Sequence, residues 1–205
     1  MARPIFAPSR WGDRRRTRVG ILGGSFNPAH AGHLHISEDA YRRMGLDEVW
    51  WLISPQNPLK PTAGMGEFEA RLQAASAIAD HPWIKVTGIE QALGSNRTWA
   101  TLRVLKKRFP KVRFVWLMGA DNLSQIPKWR RWSNIFQSVH IAVFDRSPYS
   151  YKALFGQAAR RFAHRRLTSA HASAVWSKKR PMWMYAAQRR HGASSTEIRR
   201  SQPIA

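Results

Sequence analysis

The segment that constrains the fold most is a short apolar run, Val19 to Leu22, followed by Gly23-Gly24-Ser25-Phe26-Asn27-Pro28-Ala29-His30-Ala31-Gly32-His33 and a helical-looking stretch from Leu34 to Met44. The order is strand, glycine turn, helix. Glycine has no Cβ and tolerates positive φ, so Gly23 and Gly24, with Ser25 and Phe26 behind them, let backbone N–H groups approach an anion at the positive end of the next helix. His30 and His33 are three residues apart, so a helix beginning near Ala31 places both in its first turn and points them at one spot. Such a site suits a group that gains negative charge in a transition state, such as a phosphoryl centre under attack. No Gly-Lys-Ser/Thr follows, and the glycines do not fit the dinucleotide fingerprint. The chemistry therefore falls to the histidines. The plain alternative is a pair of caps; a zinc site would have to recruit His35 or Asp39 as a further ligand.

The rest of the chain alternates strands with helices. Strands are expected at Arg18–Leu22, Val49–Ile53, Ile84–Thr87, Val112–Met118 and Val139–Phe144, with a last one at Pro181–Tyr185. Between them the spacing predicts a helix over Glu67–Ala79, with Phe68, Leu72, Ala75 and Ile78 on one stripe, and another from Thr98 to about Phe109. A basic helical stretch is expected over Tyr151–Ala170. Gly45 reads as the stop of the helix after the histidine turn. Short apolar strands of this kind suit a buried parallel sheet, in which ligands sit at the carboxyl ends of the strands.

Those ends carry the remaining candidates. Asn57 and Lys60 lie in a proline-stiffened loop after the second strand. Thr98 opens a helix, as its N-cap or by offering its backbone to a ligand. Gly119 and Asp121 follow the most apolar strand, where a carboxylate can take hydrogen bonds from ribose hydroxyls or merely cap the next helix. Trp129 offers a face for stacking on a heteroaromatic ring, against the simpler role of packing. Ser194 and Glu197 have capping-box spacing, so a helix should start there, with Ser195, Thr196 and Arg199 at its positive end. A nucleoside triphosphate is long enough to need two such anion sites.

Asn-Pro-x-His-x-Gly-His resembles the signature of a nucleotidyltransferase superfamily. Together with Gly-Ala-Asp-Asn-Leu at 119–123 and Ser-Ser-Thr-x-Ile-Arg at 194–199, it is similar to the bacterial nicotinate-nucleotide adenylyltransferases over about Val19 to Arg200. The resemblance implies an α/β fold, a Rossmann-like, doubly wound, mainly parallel sheet in three α/β/α layers, formed by one domain over 18–205 behind a flexible basic arm, 1–17. It implies attack of nicotinate mononucleotide phosphate on the α-phosphorus of ATP, with Mg²⁺ bound to the ATP and no covalent intermediate. His30, His33 and Arg199 would be catalytic. Gly23, Gly24, Ser25, Phe26, Gly119, Asp121, Ser195 and Thr196 would join them in binding ATP; Asn57, Lys60, Thr98 and Trp129 would bind the second nucleotide. No resident metal ligand is expected. The runner-up is an adenylyltransferase acting on another phosphate, such as phosphopantetheine.

Composition bounds the other classes. With 43% hydrophobic residues, 205 residues suffice for one sizeable core. Cysteine is absent and no apolar run approaches a membrane span, so a cytoplasmic protein is expected, with homo-oligomerisation open. The formal charge of +22, from 34 Lys and Arg against 12 Asp and Glu, attracts polyanions whatever the fold. The basic clusters are dispersed along the chain, as in solvated helix faces. That pattern counts against a purely nucleic-acid-binding protein.

Overall fold

The computed structural model describes residues 6, 8, 14–55, 64–95, 97–145 and 150–187. In chain order its regular elements are β1 (Arg18–Gly24), α1 (Ala31–Met44), β2 (Glu48–Ile53), α2 (Phe68–Ile78), β3 (Ile84–Thr87), α3 (Ile89–Ala92), α4 (Thr98–Arg108), β4 (Arg113–Gly119), α5 (Ala120–Gln125), α6 (Trp132–Ser138), β5 (His140–Phe144), α7 (Ser150–Leu154), α8 (Gln157–Arg161), β6 (Arg166–Leu167) and β7 (Trp183–Ala186). Short 3₁₀ turns connect several of these, the longest over Ser169–Ser177.

The strands form one seven-stranded sheet in the order β3-β2-β1-β4-β5-β7-β6. Every pair is parallel. Alternation along the strands feeds two cores. Val19 and Ile21, Trp50 and Leu52, and Phe114, Trp116 and Met118 face α4, α5 and α6; Leu22, Trp51, Ile53, Val115 and Leu117 face α1 and α2. This is the three-layer architecture expected from the alternation of strands and helices.

Strand order reverses between β1 and β4. The chain leaves β1 towards β2 and β3, and leaves β4 towards β5, so the loops after β1 and β4 part from each other and open a crevice at the carboxyl edge. The histidine turn follows β1, and Gly119 ends β4.

Two expectations need correction. The continuous helix over Tyr151–Ala170 is broken into α7, α8, a 3₁₀ turn and the two-residue strand β6. Gly156 takes an extended conformation between α7 and α8, and the segment is rich in arginine with no acidic residue to pair along a helix. Thr98 is not an N-cap; that position is Arg97, whose carbonyl takes the Thr101 N–H, and Thr98 is the first helical residue. At the other end of the chain, Phe6 donates its N–H to the Val86 carbonyl and lays its ring 5.3 Å from that of Trp50.

Candidate active site

Helix α1 starts as the glycine turn requires. His30 is its N-cap, with extended backbone, and His33 is the third residue of the first turn. The two close a reciprocal capping box: the Gly32 N–H donates to His30 Nδ1 at 3.0 Å, and the His30 N–H donates to His33 Nδ1 at 3.1 Å. An Nδ1 that accepts a backbone N–H carries no proton, so in each neutral ring the proton sits on Nε2. The caps thus fix the tautomer and present two Nε2–H donors side by side, with ring centroids 4.0 Å apart. Capping and catalysis are not competing readings here, because the cap sets the donor.

The rings are held from behind. Phe26 lies 4.5 Å from the His33 ring and 5.3 Å from that of Trp51. Trp51 Nε1 donates to Ser37 Oγ, which donates to the His33 carbonyl, each at 2.8 Å. Trp51 and Ser37 are fully buried, so the first turn of α1 is tied to the core on β2. Met44 closes the helix against Gly45, whose φ of 58° is the left-handed conformation expected of a stop.

The positive φ that the glycines were expected to supply falls on another residue. Gly23 and Gly24 lie within β1, and the positive φ in the turn belongs to Phe26, at 46°. A Cβ on Gly23 would stand 2.3 Å from the ring of Trp116. Its lack of a side chain is therefore a packing requirement. Trp116 in turn meets Trp129 edge-on at 6.5 Å, linking the histidine turn to the far side of the crevice.

Across the switch point, Gly119 is the N-cap of α5 and Asp121 lies in its first turn, partly buried; no side chain caps that helix through Gly119. Thr98 and Trp129 come from segments that touch, since the Arg131 guanidinium sits 4.5 Å over the Trp99 ring. The Thr98 N–H is among the first four of α4, which have no acceptor within the helix. The fold brings together Gly23, Gly24, Ser25, Phe26, His30 and His33 on one lip of the crevice and Gly119 and Asp121 on the other, with Trp129 reached through Trp116. Asn57, Lys60, Ser195, Thr196 and Arg199 lie outside the described residues. Asp39 is committed to an ion pair with Arg43 at 2.7 Å, and among the described residues no three His, Asp or Glu converge as a metal site.

Sequence reasoning missed a buried polar chain beneath the site. Arg71, on α2 and only 4% exposed, donates to the carbonyls of Ser25 (2.6 Å), Ser54 (2.9 Å), Gly66 (2.9 Å) and Pro55 (3.1 Å). One guanidinium thus clamps the histidine turn, the end of β2 and the lead into α2. Burial lowers its pKa from the ordinary value, with the charge of Glu67 opposing. Asn27 helps, donating to the Gly64 carbonyl and accepting from the Gly66 N–H. Further along, Glu90 accepts hydrogen bonds from Thr101, at 2.9 Å, and from the Ser54 side chain. Burial pushes its carboxyl up to about 7, against the two hydrogen bonds that pull it down. A signal for Arg71 was present, because it shares the buried helical stripe with Leu72 and Ala75.

The cytidylyltransferase-like family model matches residues 21–201. A protein of Parvibaculum lavamentivorans described as "Probable nicotinate-nucleotide adenylyltransferase" is 56% identical over 69% of this chain and 71% of its own. One of Cereibacter sphaeroides with the same description is 46% identical over 88% of this chain and 95% of its own. The chain belongs to the nicotinate-nucleotide adenylyltransferase family. Nicotinic acid mononucleotide adenylyltransferase of Plasmodium falciparum, solved "complexed with APC" and "complexed with NaAD", shares the fold with a TM-score of 0.67 in both cases. Each alignment covers 90% of this chain and 83% of that one, at 17% and 18% identity.

Proposed function

We propose that the crevice binds ATP and nicotinate mononucleotide side by side and transfers the adenylyl group between them. A phosphate oxygen of the mononucleotide forms a bond to the α-phosphorus of ATP, the bond from that phosphorus to the bridging oxygen breaks, and pyrophosphate leaves with the electron pair. The products are nicotinate adenine dinucleotide and pyrophosphate. The observation that carries this reading is the pair of tautomer-locked Nε2–H donors at the N-terminus of α1, set where strand order reverses.

Such a reaction needs no covalent help from protein. It gains from in-line placement and from donors aimed at oxygens that acquire charge. In this reading His30 and His33 donate to the α-phosphate and the departing pyrophosphate, and the positive end of the fourteen-residue α1 adds to their field. Gly119, through its backbone, and Asp121 hold the adenosine ribose. The Thr98 N–H meets the nicotinate carboxylate and Trp129 stacks on the pyridine. Ser195, Thr196 and Arg199, which lie outside the described residues, grip the triphosphate, and Asn57 and Lys60, also outside them, contact the substrate. Mg²⁺, which prefers phosphate oxygens and water to an all-protein cage, enters as part of the ATP substrate.

The test is an acceptor comparison. Purified protein with MgATP is offered nicotinate mononucleotide, nicotinamide mononucleotide and phosphopantetheine, and the products are separated by chromatography. The highest kcat/KM is expected with nicotinate mononucleotide; preferential adenylylation of phosphopantetheine would overturn the assignment.

A further inference from the structure

The opposite edge of the sheet carries a feature that adenylyl transfer does not use. A cleft of about 430 Å³ opens between the end of α4, the starts of β4 and β5, and the segment before β7. Its cations are Lys106, Arg113, Lys178, Lys179 and Arg180, and no acidic residue lines it. In the sequence these belong to separate clusters, which the fold gathers at one place. Arg18, paired in register with Arg113, extends the row along the edge, and both guanidinium groups flank the Trp176 ring, at 5.8 and 5.1 Å.

Some of this charge has a structural use. Lys106 Nζ donates to the Ser138 carbonyl at the end of α6, and Arg113 donates to the Trp176 carbonyl. Lys178, Lys179 and Arg180 are exposed, and among the described residues no carboxylate pairs with them. His140 lines the same cleft and adds no charge at neutral pH, since burial, aided by the charge of Arg113, pushes its pKa down to about 4.

The cleft is remote from the chemistry. From Arg113 to Gly119, β4 advances six residues, roughly 20 Å at the rise of a parallel strand. A small phosphorylated ligand would call for enclosed, desolvated polar partners. Here the cations are surface groups spread along an open edge, which is how proteins track a polymer of evenly spaced phosphates, with affinity drawn from counterion release. We propose that this edge is a second, non-catalytic site that takes the phosphodiester backbone of a nucleic acid.

The experiment uses the full chain and a fluorescent duplex of about 20 base pairs, with anisotropy titrations at several salt concentrations between about 50 and 200 mM. One variant combines Lys178→Ala, Lys179→Ala and Arg180→Ala. A control removes the same charge elsewhere through Lys152→Ala, Arg160→Ala and Arg161→Ala, and a second control keeps the charge with Lys178→Arg and Lys179→Arg. Each lost phosphate contact lowers the slope of log K against log salt by about 0.9, so the cleft variant should bind more weakly with a slope shallower by about 2 to 3. Its adenylyl transfer should match the parent's, and both controls should keep most of the slope. Equal losses in the cleft variant and the Lys152 control would mean a diffuse field and overturn the proposal. So would binding of phosphatidylserine vesicles by a parent that fails to bind the duplex.

Discussion

Replacing Arg71 with leucine tests how the histidine turn is held. The side chain supplies four hydrogen bonds to carbonyls of three segments, and those to Ser25 and Ser54 are fully buried. Leucine keeps most of the apolar stem and removes every donor. Water can replace the bonds to Gly66 and Pro55, which are only part-buried, but the two buried carbonyls lose their donor, at roughly 1 to 3 kcal/mol each. Relief of the desolvation borne by the guanidinium offsets part of this, leaving a net loss of about 3 kcal/mol. For a chain of this length that corresponds to a fall in Tm of about 6 to 12 °C. The Ser25 carbonyl sits one residue beyond β1, so loss of the clamp also loosens the approach to His30 and His33. A misplacement of about 1 Å at a reacting centre costs on the order of 100-fold in kcat/KM. The assay is differential scanning calorimetry beside steady-state kinetics, with Arg71→Lys as an intermediate case that keeps the charge but loses the planar fork. A leucine variant with Tm within about 2 °C of the parent and unchanged kcat/KM would refute the reasoning.

His33→Ala removes one donor to the developing charge and should lower kcat by about 100- to 1000-fold; losing the capping contact costs about 1 kcal/mol, so circular dichroism should remain that of the parent, and near-normal turnover would count against the role. Trp129→Ala should raise KM for the pyridine nucleotide by roughly 2- to 12-fold while that for ATP stays put, as loss of one stacking contact requires; equal effects on both would remove the assignment. Glu90, raised to about 7 from 4.5, stabilises the fold fully below pH 4.5 and loses that contribution as pH rises through 7. The Tm of Glu90→Gln minus that of the parent should therefore climb between pH 4.5 and 7, and a flat difference would contradict the burial argument. His140, lowered to about 4 from 6.5, acts with the opposite sign: its contribution is complete above pH 6.5 and lost as pH falls through 4, so His140→Asn should be less acid-sensitive than the parent over that window.

The parts of the fold legible in the sequence were those with a local cause. Val19 to Leu22 followed by a glycine turn implied strand and helix, and α1 starts at Ala31 and stops at Gly45 as read. The six longer strands were apolar enough to stand out, whereas the two-residue β6 is too short for any periodicity to show. Gly156 escaped notice inside a basic stretch because one glycine does not by itself end a helical pattern. At the site, spacing showed that His30 and His33 face one point. It could not show that each Nδ1 is taken by a backbone N–H, since that depends on the angle at which the chain enters α1. The place of Arg71 on the buried stripe of α2 was visible, but its partners and those of Glu90 were not: they are carbonyls and hydroxyls brought from separate segments by the sheet, and a backbone acceptor leaves no trace in sequence. The charge shows the same limit. Lys106 and Lys178 belong to clusters about seventy residues apart, and only the parallel packing of β4, β5 and β7 sets them round one cleft.

The most direct test of the account follows the phosphorus atom that moves. Purified protein is incubated with nicotinate mononucleotide and ATP labelled either at the α- or at the γ-phosphate, and the label is traced through the separated products. Adenylyl transfer puts α-label in the dinucleotide in a one-to-one ratio with pyrophosphate released, and γ-label only in pyrophosphate. Label from the γ-phosphate in the nucleotide product, or α-label retained on the enzyme as a covalent adduct, would contradict it.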